Sequence, residues 1–206
     1  MELNIALSAV IGYLLGSLNT SIIVGKLYKI DVRNHGSGNA GATNTLRVLG
    51  KGPALLVVLG DFLKGAIACL IGRYLVGETF PQVYAGEYIG GLFAVLGHNW
   101  PVYFGFKGGK GVMTSFAVVL MFSPLAALIS LLCFIVIVAL TRYVSLGSMI
   151  GAVLFPIAAF LLKEPALMVA TGAFLGLLIV VRHRSNIKRL IAGEEKKLSF
   201  SKKERD

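Results

Sequence analysis

The stretch Gly36-Ser37-Gly38-Asn39-Ala40-Gly41-Ala42-Thr43-Asn44, followed by Arg47, gathers glycines, neutral donors and a guanidinium into residues 36–47. Closely spaced glycines let successive backbone N–H groups point into one concavity, and a helix starting after them adds its own N-terminal donors. Ser37, Asn39, Thr43 and Asn44 can each donate, and Arg47 offers a planar fork matched to phosphate oxygens. The chemistry these residues favour is anion binding. Gly36, Gly38 and Gly41 also fit G-x-G-x-x-G, but that fingerprint has meaning only between the strand and helix of a βαβ unit, and no such unit surrounds it. A polar loop with helix caps is the simpler use of the same residues.

Two further stretches carry related chemistry. In Lys107-Gly108-Gly109-Lys110-Gly111, two lysines around paired glycines can clamp a phosphate with ammonium groups and backbone donors, although no Walker register fits. Two lysines snorkelling at a helix boundary would look the same. Just upstream, His98 is more readily a hydrogen-bonded interfacial residue than a catalyst, and Trp100 suits an interface anchor. In Arg182-His183-Arg184-Ser185-Asn186, helical spacing sets the His183 imidazole beside the Asn186 amide, a proton acceptor next to a neutral donor. The alternative is a basic juxtamembrane segment that attracts anionic lipid. Asp61 and Lys64 lie inside an apolar run, where their spacing lets them pair with each other or face a polar cavity. Ser145 could face that cavity too. Cys and His show no metal-ligand spacing, so neither a metal nor a cofactor is expected.

These groups need elements to position them, and composition decides which. A 206-residue chain with 56% hydrophobic and 15% charged residues and a mean hydropathy of +0.79 reads as an all-α integral membrane protein. The apolar runs are continuous, not alternating, so the spans are helices and not barrel strands. Runs at 5–25, 53–75, 84–97, 112–122, 125–140, 148–162 and 165–181 give about seven transmembrane helices, some short, with turns at Ser123-Pro124 and Lys163-Glu164-Pro165. The first run follows Glu2 and exceeds a signal-peptide core, so it is expected to stay in the mature protein. Five crossings, with 112–140 and 148–181 each a single helix, would leave the termini on the same sides.

With the N-terminus outside, the inner segments hold seventeen of the 20 Lys and Arg residues, leaving Arg73 and Lys163 outside and Lys64 within a span. The C-terminus is then cytoplasmic, and all the polar stretches reach the inner face. The net charge of +10 sits next to apolar runs, which argues for lipid headgroups as partners and against nucleic acid. Residues 1–193 read as a polytopic helical domain and 194–206 as a charged, solvated cytoplasmic tail.

Together these residues resemble the bacterial acyl-phosphate:glycerol-3-phosphate acyltransferases, the PlsY family. The resemblance runs through Gly36 to Asn44 with Arg47, Gly60-Asp61 with Lys64, Gly97-His98 with Pro101 and Phe106 to Gly111, and Arg182-His183 with Asn186-Ile187, Arg189-Leu190, Gly193 and Glu195. It implies transfer of a fatty acyl group from acyl phosphate to the 1-hydroxyl of glycerol 3-phosphate, giving lysophosphatidate and phosphate, the entry step of phospholipid synthesis. It also implies a multi-pass bacterial inner-membrane protein of seven helices with its site facing the cytoplasm, functionally coupled to an enzyme that produces acyl phosphate. The His-x4-Asp motif of the other large class of glycerolipid acyltransferases is absent, since Ala40, Tyr103 and Lys188 stand five positions after the three histidines.

On this reading Ser37, Arg47, Lys107 and Lys110 bind the phosphate of glycerol 3-phosphate. Gly38, Asn39, Gly41, Thr43, Asn44, Gly108 and Gly109 serve the acyl phosphate and the developing oxyanion, and His183 with Asn186 handles the proton or holds a substrate phosphate that itself acts as base. His98, Asp61, Lys64 and Ser145 are further candidates. No Ser or Cys has an evident His-Asp escort, so direct attack on an already activated acyl donor is expected. The competing class is a membrane transporter of a phosphorylated metabolite, which would also want a cationic site.

Overall fold

Local punctuation sets where each apolar run bends. The computed structural model describes residues 1–79 and 83–198. Its first run divides into α1 (Glu2–Ser17) and α2 (Thr20–Leu27) because the Asn19 side chain caps the second helix, accepting the Ile22 N–H at 3.1 Å. The amphipathic α3 (Ala42–Leu49) follows the glycine loop, then α4 (Lys51–Val76) and α5 (Ala85–Asn99). The remaining helices are α6 (Val112–Phe122), α7 (Pro124–Thr141), α8 (Val144–Leu161), α9 (Ala166–Arg182) and α10 (Arg184–Ile191). Both expected turns are present. Ser123 caps α7 with Pro124 in its first turn, and the Ser123 hydroxyl donates to the Glu164 carboxylate at 2.6 Å, tying the α6–α7 turn to the α8–α9 turn.

Each of the seven apolar runs is helical. Four stretches among the described residues are long and apolar enough to cross a membrane, namely Glu2–Leu27, α4, α7 and α8, and a fifth arises if α9 and α10, bent by 58°, form one broken span. α5 and α6 have 15 and 11 residues, or roughly 22 and 17 Å of helix against a hydrocarbon core of about 30 Å. Leu55, Leu59, Leu63 and Leu70 line an exposed face of α4, as an apolar solvent allows.

Helices α1, α4 and α5 approach too closely for side chains at their crossings. A Cβ on Gly16 would lie 2.0 Å from the Ala94 carbonyl oxygen, and one on Gly72 would lie 1.9 Å from that of Gly86. Backbone contact of this kind is how helices associate where lipid offers no hydrophobic drive. A second layer, α7, α8 and α9, packs beside α6, and the buried side chains of Val118, Phe122, Phe155, Met168 and Leu175 close the seam between the layers.

The Gly16 contact decides a substitution. Alanine in a helix interior is favoured over glycine by about 1 kcal/mol, whereas overpacking costs about 1–3 kcal/mol, and here the obstacle is backbone that cannot rotate away. Gly16→Ala is therefore expected to lower the unfolding midpoint in detergent. Gly52→Ala, with nothing within 4 Å of the added carbon, is expected to leave the midpoint unchanged or raise it.

Candidate active site

Four helices begin at one cavity of about 260 Å³. α3 contributes Ala42 and Thr43, α6 Val112 and Met113, and α8 Val144 and Ser145, while His183 and Asn186 come from the start of α10. None of the four has a side-chain cap, so their first-turn N–H groups remain outside the helical ladders. Four positive dipole ends beside Arg47 and Lys110 make the cavity strongly favourable to anions.

The glycine loop reaches this cavity through Ser37, Asn39 and Gly41. Its shape depends on Asn44, whose role differs from the expected one. Asn44 is 1% exposed. Its Nδ2 donates to the carbonyls of Val32 and His35 at 2.8 and 3.0 Å, and its Oδ1 accepts the Ser37 N–H at 2.8 Å and lies 3.2 Å from the Ser37 hydroxyl. With both protons engaged, Asn44 latches the loop and has no donor left for an oxyanion. Gly38 is also displaced from the role expected of it. It does not line the cavity, and its N–H closes a turn onto the His35 carbonyl at 3.0 Å, with φ of 71°. Thr45 pins α3 to α2 through the Ser21 hydroxyl at 2.8 Å.

Of the two lysines, only Lys110 lines the cavity; Lys107 is exposed and outside it. Gly109 is not a free donor either, and both glycines sit where a side chain would clash. A Cβ on Gly109 would lie 2.2 Å from His98 Nε2 and 2.4 Å from the Ala40 carbonyl oxygen, so these glycines provide clearance for the loop against α5. The backbone of Gly109 is fully engaged, its N–H with the His98 carbonyl and its carbonyl with Arg182 at 2.7 Å. Gly111, left-handed with φ of 75°, then turns the chain into α6 and leaves Lys110 at the rim.

His183 and Asn186 are both buried at the α9–α10 bend, yet they do not form the expected pair. The His183 Nδ1 lies 2.8 Å from the Ile179 carbonyl, which fixes its proton there and leaves Nε2 as the acceptor available to the cavity. Asn186 accepts from the Lys110 ammonium and donates to Glu195 Oε1 at 2.7 Å. Glu195 also receives the Ser145 hydroxyl at 2.8 Å and Arg189 Nε at 2.7 Å. Burial pushes its carboxyl up, but hydrogen bonds from Asn186, Ser145 and Arg189 more than offset this and hold it below its ordinary value. The boundary expected at 194 thus falls inside the site. Residues 194–198 fold back, with Arg47 donating to the Lys196 carbonyl at 3.3 Å and Arg142 to that of Leu198 at 3.0 Å, while 199–206 lie outside the described residues. Glu195 is marked in the sequence only as part of the family pattern and without a role, since only its partners distinguish it from Glu194.

Asp61 and Lys64 form a buried ion pair at 2.7 Å, and Lys64 also meets His98 Nδ1 at 2.8 Å. Asp61 and His98 line the cavity floor, whereas Lys64 stands behind them. Val112, Met113, Phe134 and Ser148 border both this cavity and an apolar groove of about 140 Å³ that runs between α6, α7, α8 and α9 to Phe155 and Gly172. A polar compartment and an apolar one therefore adjoin.

This is an integral membrane protein in which a cavity lined by Arg47 and Lys110 adjoins an apolar groove. A sequence profile of the glycerol-3-phosphate acyltransferases matches residues 6–193. A relative of that description from Thermoanaerobacter pseudethanolicus is 49% identical, covering 93% of this chain and 94% of its own length. One from Shouchella clausii is 48% identical, covering 96% and 98%. The crystal structure of PlsY (YgiH), an integral membrane glycerol 3-phosphate acyltransferase, in its glycerol 3-phosphate form superimposes with a TM-score of 0.88 at 41% identity, covering 95% of this chain and 96% of that one. Its lysophosphatidic acid form gives 0.86 at 39%, covering 96% and 97%. The chain belongs to the glycerol-3-phosphate acyltransferase family.

Lys110 gives the cavity a pH dependence. Burial, aided by Arg189, Arg182 and Arg47 and opposed by Glu195, depresses its ammonium to about 8. The cation is present below that value and is lost as pH rises through it. Sulfate, whose charge is constant over this range, is expected to bind progressively less well above pH 8 by calorimetric titration. Lys110→Arg, cationic throughout, is expected to flatten that limb.

Proposed function

We propose that the cavity transfers a fatty acyl group from acyl phosphate to the 1-hydroxyl of glycerol 3-phosphate, releasing lysophosphatidate and inorganic phosphate. The observation that carries this reading is the junction of a cationic cavity, ringed by helix N-termini, with an apolar groove. Ser37, Arg47 and Lys110 hold phosphate oxygens, and the N–H groups at the start of α3 and α6 receive charge that develops as the acyl–phosphate bond breaks. The hydroxyl oxygen attacks the carbonyl carbon, its proton passes to His183 Nε2, and phosphate departs with the bonding pair. Holding two anions in register supplies much of the rate, and the activated donor removes the need for a covalent intermediate.

The acyl tail lies in the groove between α6 and α9. The seven apolar helices cross with the N-terminus outside, so that the cavity faces the cytoplasm of a bacterial cell at its inner membrane; the concentration of Lys and Arg around the cavity end supports this orientation. The acyl phosphate comes from an enzyme that produces it at the same membrane.

Purified protein in detergent with palmitoyl phosphate is expected to release inorganic phosphate only when glycerol 3-phosphate is added. Counterflow of glycerol 3-phosphate in sealed vesicles without such release would select a carrier instead. Arg47→Ala is expected to lower kcat/KM for glycerol 3-phosphate about 10- to 100-fold, the size of a lost charged hydrogen bond. His183→Ala with unchanged turnover would remove it as proton acceptor. Ala152→Phe, filling the groove, is expected to shift donor preference toward shorter acyl phosphates, read as the ratio of kcat/KM for decanoyl and palmitoyl donors.

A further inference from the structure

We propose that Asp61 and Lys64 fix His98 in the tautomer that carries its proton on Nε2, and that this neutral donor binds the phosphate leaving from the acyl donor. The proposal rests on the acyl-transfer reading above and adds to it a donor and the residues that position it.

A lysine ammonium has three protons and no acceptor, and three acceptors surround Lys64 Nζ. These are Asp61 Oδ1 at 2.7 Å, His98 Nδ1 at 2.8 Å and the Leu18 carbonyl at 3.2 Å. Two N–H groups cannot point at each other across 2.8 Å, so His98 Nδ1 must accept. Asp61 Oδ1 is also 3.5 Å from Nδ1, but the nearer Lys64 holds that lone pair. The ring's remaining proton is therefore on Nε2. That atom lies where the 36–41 and 105–111 loops meet, against Gly109 and on the side of the Ala40 carbonyl, and among the described residues the ring's one hydrogen bond is through Nδ1, to Lys64. His98 is 3% exposed and lines the cavity. A buried donor without a protein partner is costly unless a ligand supplies the acceptor.

The chemistry suits a leaving group. As the acyl–phosphate bond breaks, charge grows on the phosphate oxygens, so a fixed donor there gains strength in the transition state and acts on kcat more than on ground-state binding. A neutral imidazole adds no charge to a cavity already holding Arg47 and Lys110. The Asp61–Lys64 pair is internally neutral and serves to position the ring.

The tautomer is measured directly by long-range proton–nitrogen correlation spectra of histidine-labelled protein in detergent, with His98 assigned by its absence from His98→Gln. A neutral Nε2–H ring is expected, and an Nδ1–H ring overturns the proposal. In the double variant Asp61→Leu/Lys64→Met, which removes the ion pair as a unit, both tautomers are expected; a ring that remains wholly Nε2–H overturns the role of Lys64. In the assay, His98→Leu is expected to lower kcat about 100-fold with KM for glycerol 3-phosphate little changed. His98→Gln, whose amide N–H falls near Nε2, is expected to restore part of it. Equal kcat in the Leu and Gln variants at matched unfolding midpoints overturns the proposal. Wild-type protein that releases no phosphate would instead sink the acyl-transfer reading, and leaves the spectroscopic result standing on its own.

Discussion

Donors that the protein leaves unused are the constraint on which this structure turns. Two phosphate-bearing molecules at the edge of an apolar medium repel each other, and each side chain that could bind them would rather bind a neighbour. Helix N-termini escape this competition because their first N–H groups have no intrahelical acceptor. Four uncapped starts, α3, α6, α8 and α10, converge on the cavity. Arg47 and Lys110 add full charge, and their tethers to the Lys196 carbonyl and to Asn186 hold them near it. The fixed donors cost no reorganisation when charge moves, which is the advantage of preorganised dipoles over water.

Convergence of this kind demands close backbone packing, and glycine supplies it at two scales. Within the membrane layer Gly16 against Ala94 and Gly72 against Gly86 draw α1, α4 and α5 together. At the rim, Gly108 and Gly109 let the loop press onto His98, and Gly111 reverses the chain into α6. The shortness of α6 then becomes intelligible, because a helix that begins at the cavity instead of the lipid surface brings its positive end to the cavity.

Much of this was legible in the sequence because membrane helices announce themselves by continuous hydropathy, and glycines next to cations marked the stretches that share the cavity. The seven apolar runs are all helices, and Ser37, Asn39, Arg47, Lys110, His183 and Asn186 meet in one place. What could not be read was which polar atoms remain available. Asn44 and Asn39 look alike in the chain, yet Asn44 is occupied by three backbone groups. Lys107 and Lys110 flank the same glycines, but only the turn at Gly111 sends the second inward. Glu195 stands in a run of charges and is separated from Glu194 only by the three donors it meets. Local composition specifies kinds of interaction, while the assignment of partners depends on contacts distant in sequence.

A free carboxylate inside a cationic cavity would work against anion binding, but this one is not free. Glu195 accepts from Ser145, Asn186 and Arg189, joining α8 to α10 across the cavity wall. Removing it would take from Arg47 and Lys110 the anion that favours their charged forms against the repulsion of Arg189. Its charge is directed at the protein's own donors, and Asn186 relays it to the Lys110 ammonium. Before substrate arrives, the site is thus held in shape by an internal anion too well engaged to compete for the cavity. On the proposed acyl-transfer reading, incoming phosphates would meet cations already oriented, and product anions would leave a site that keeps its form.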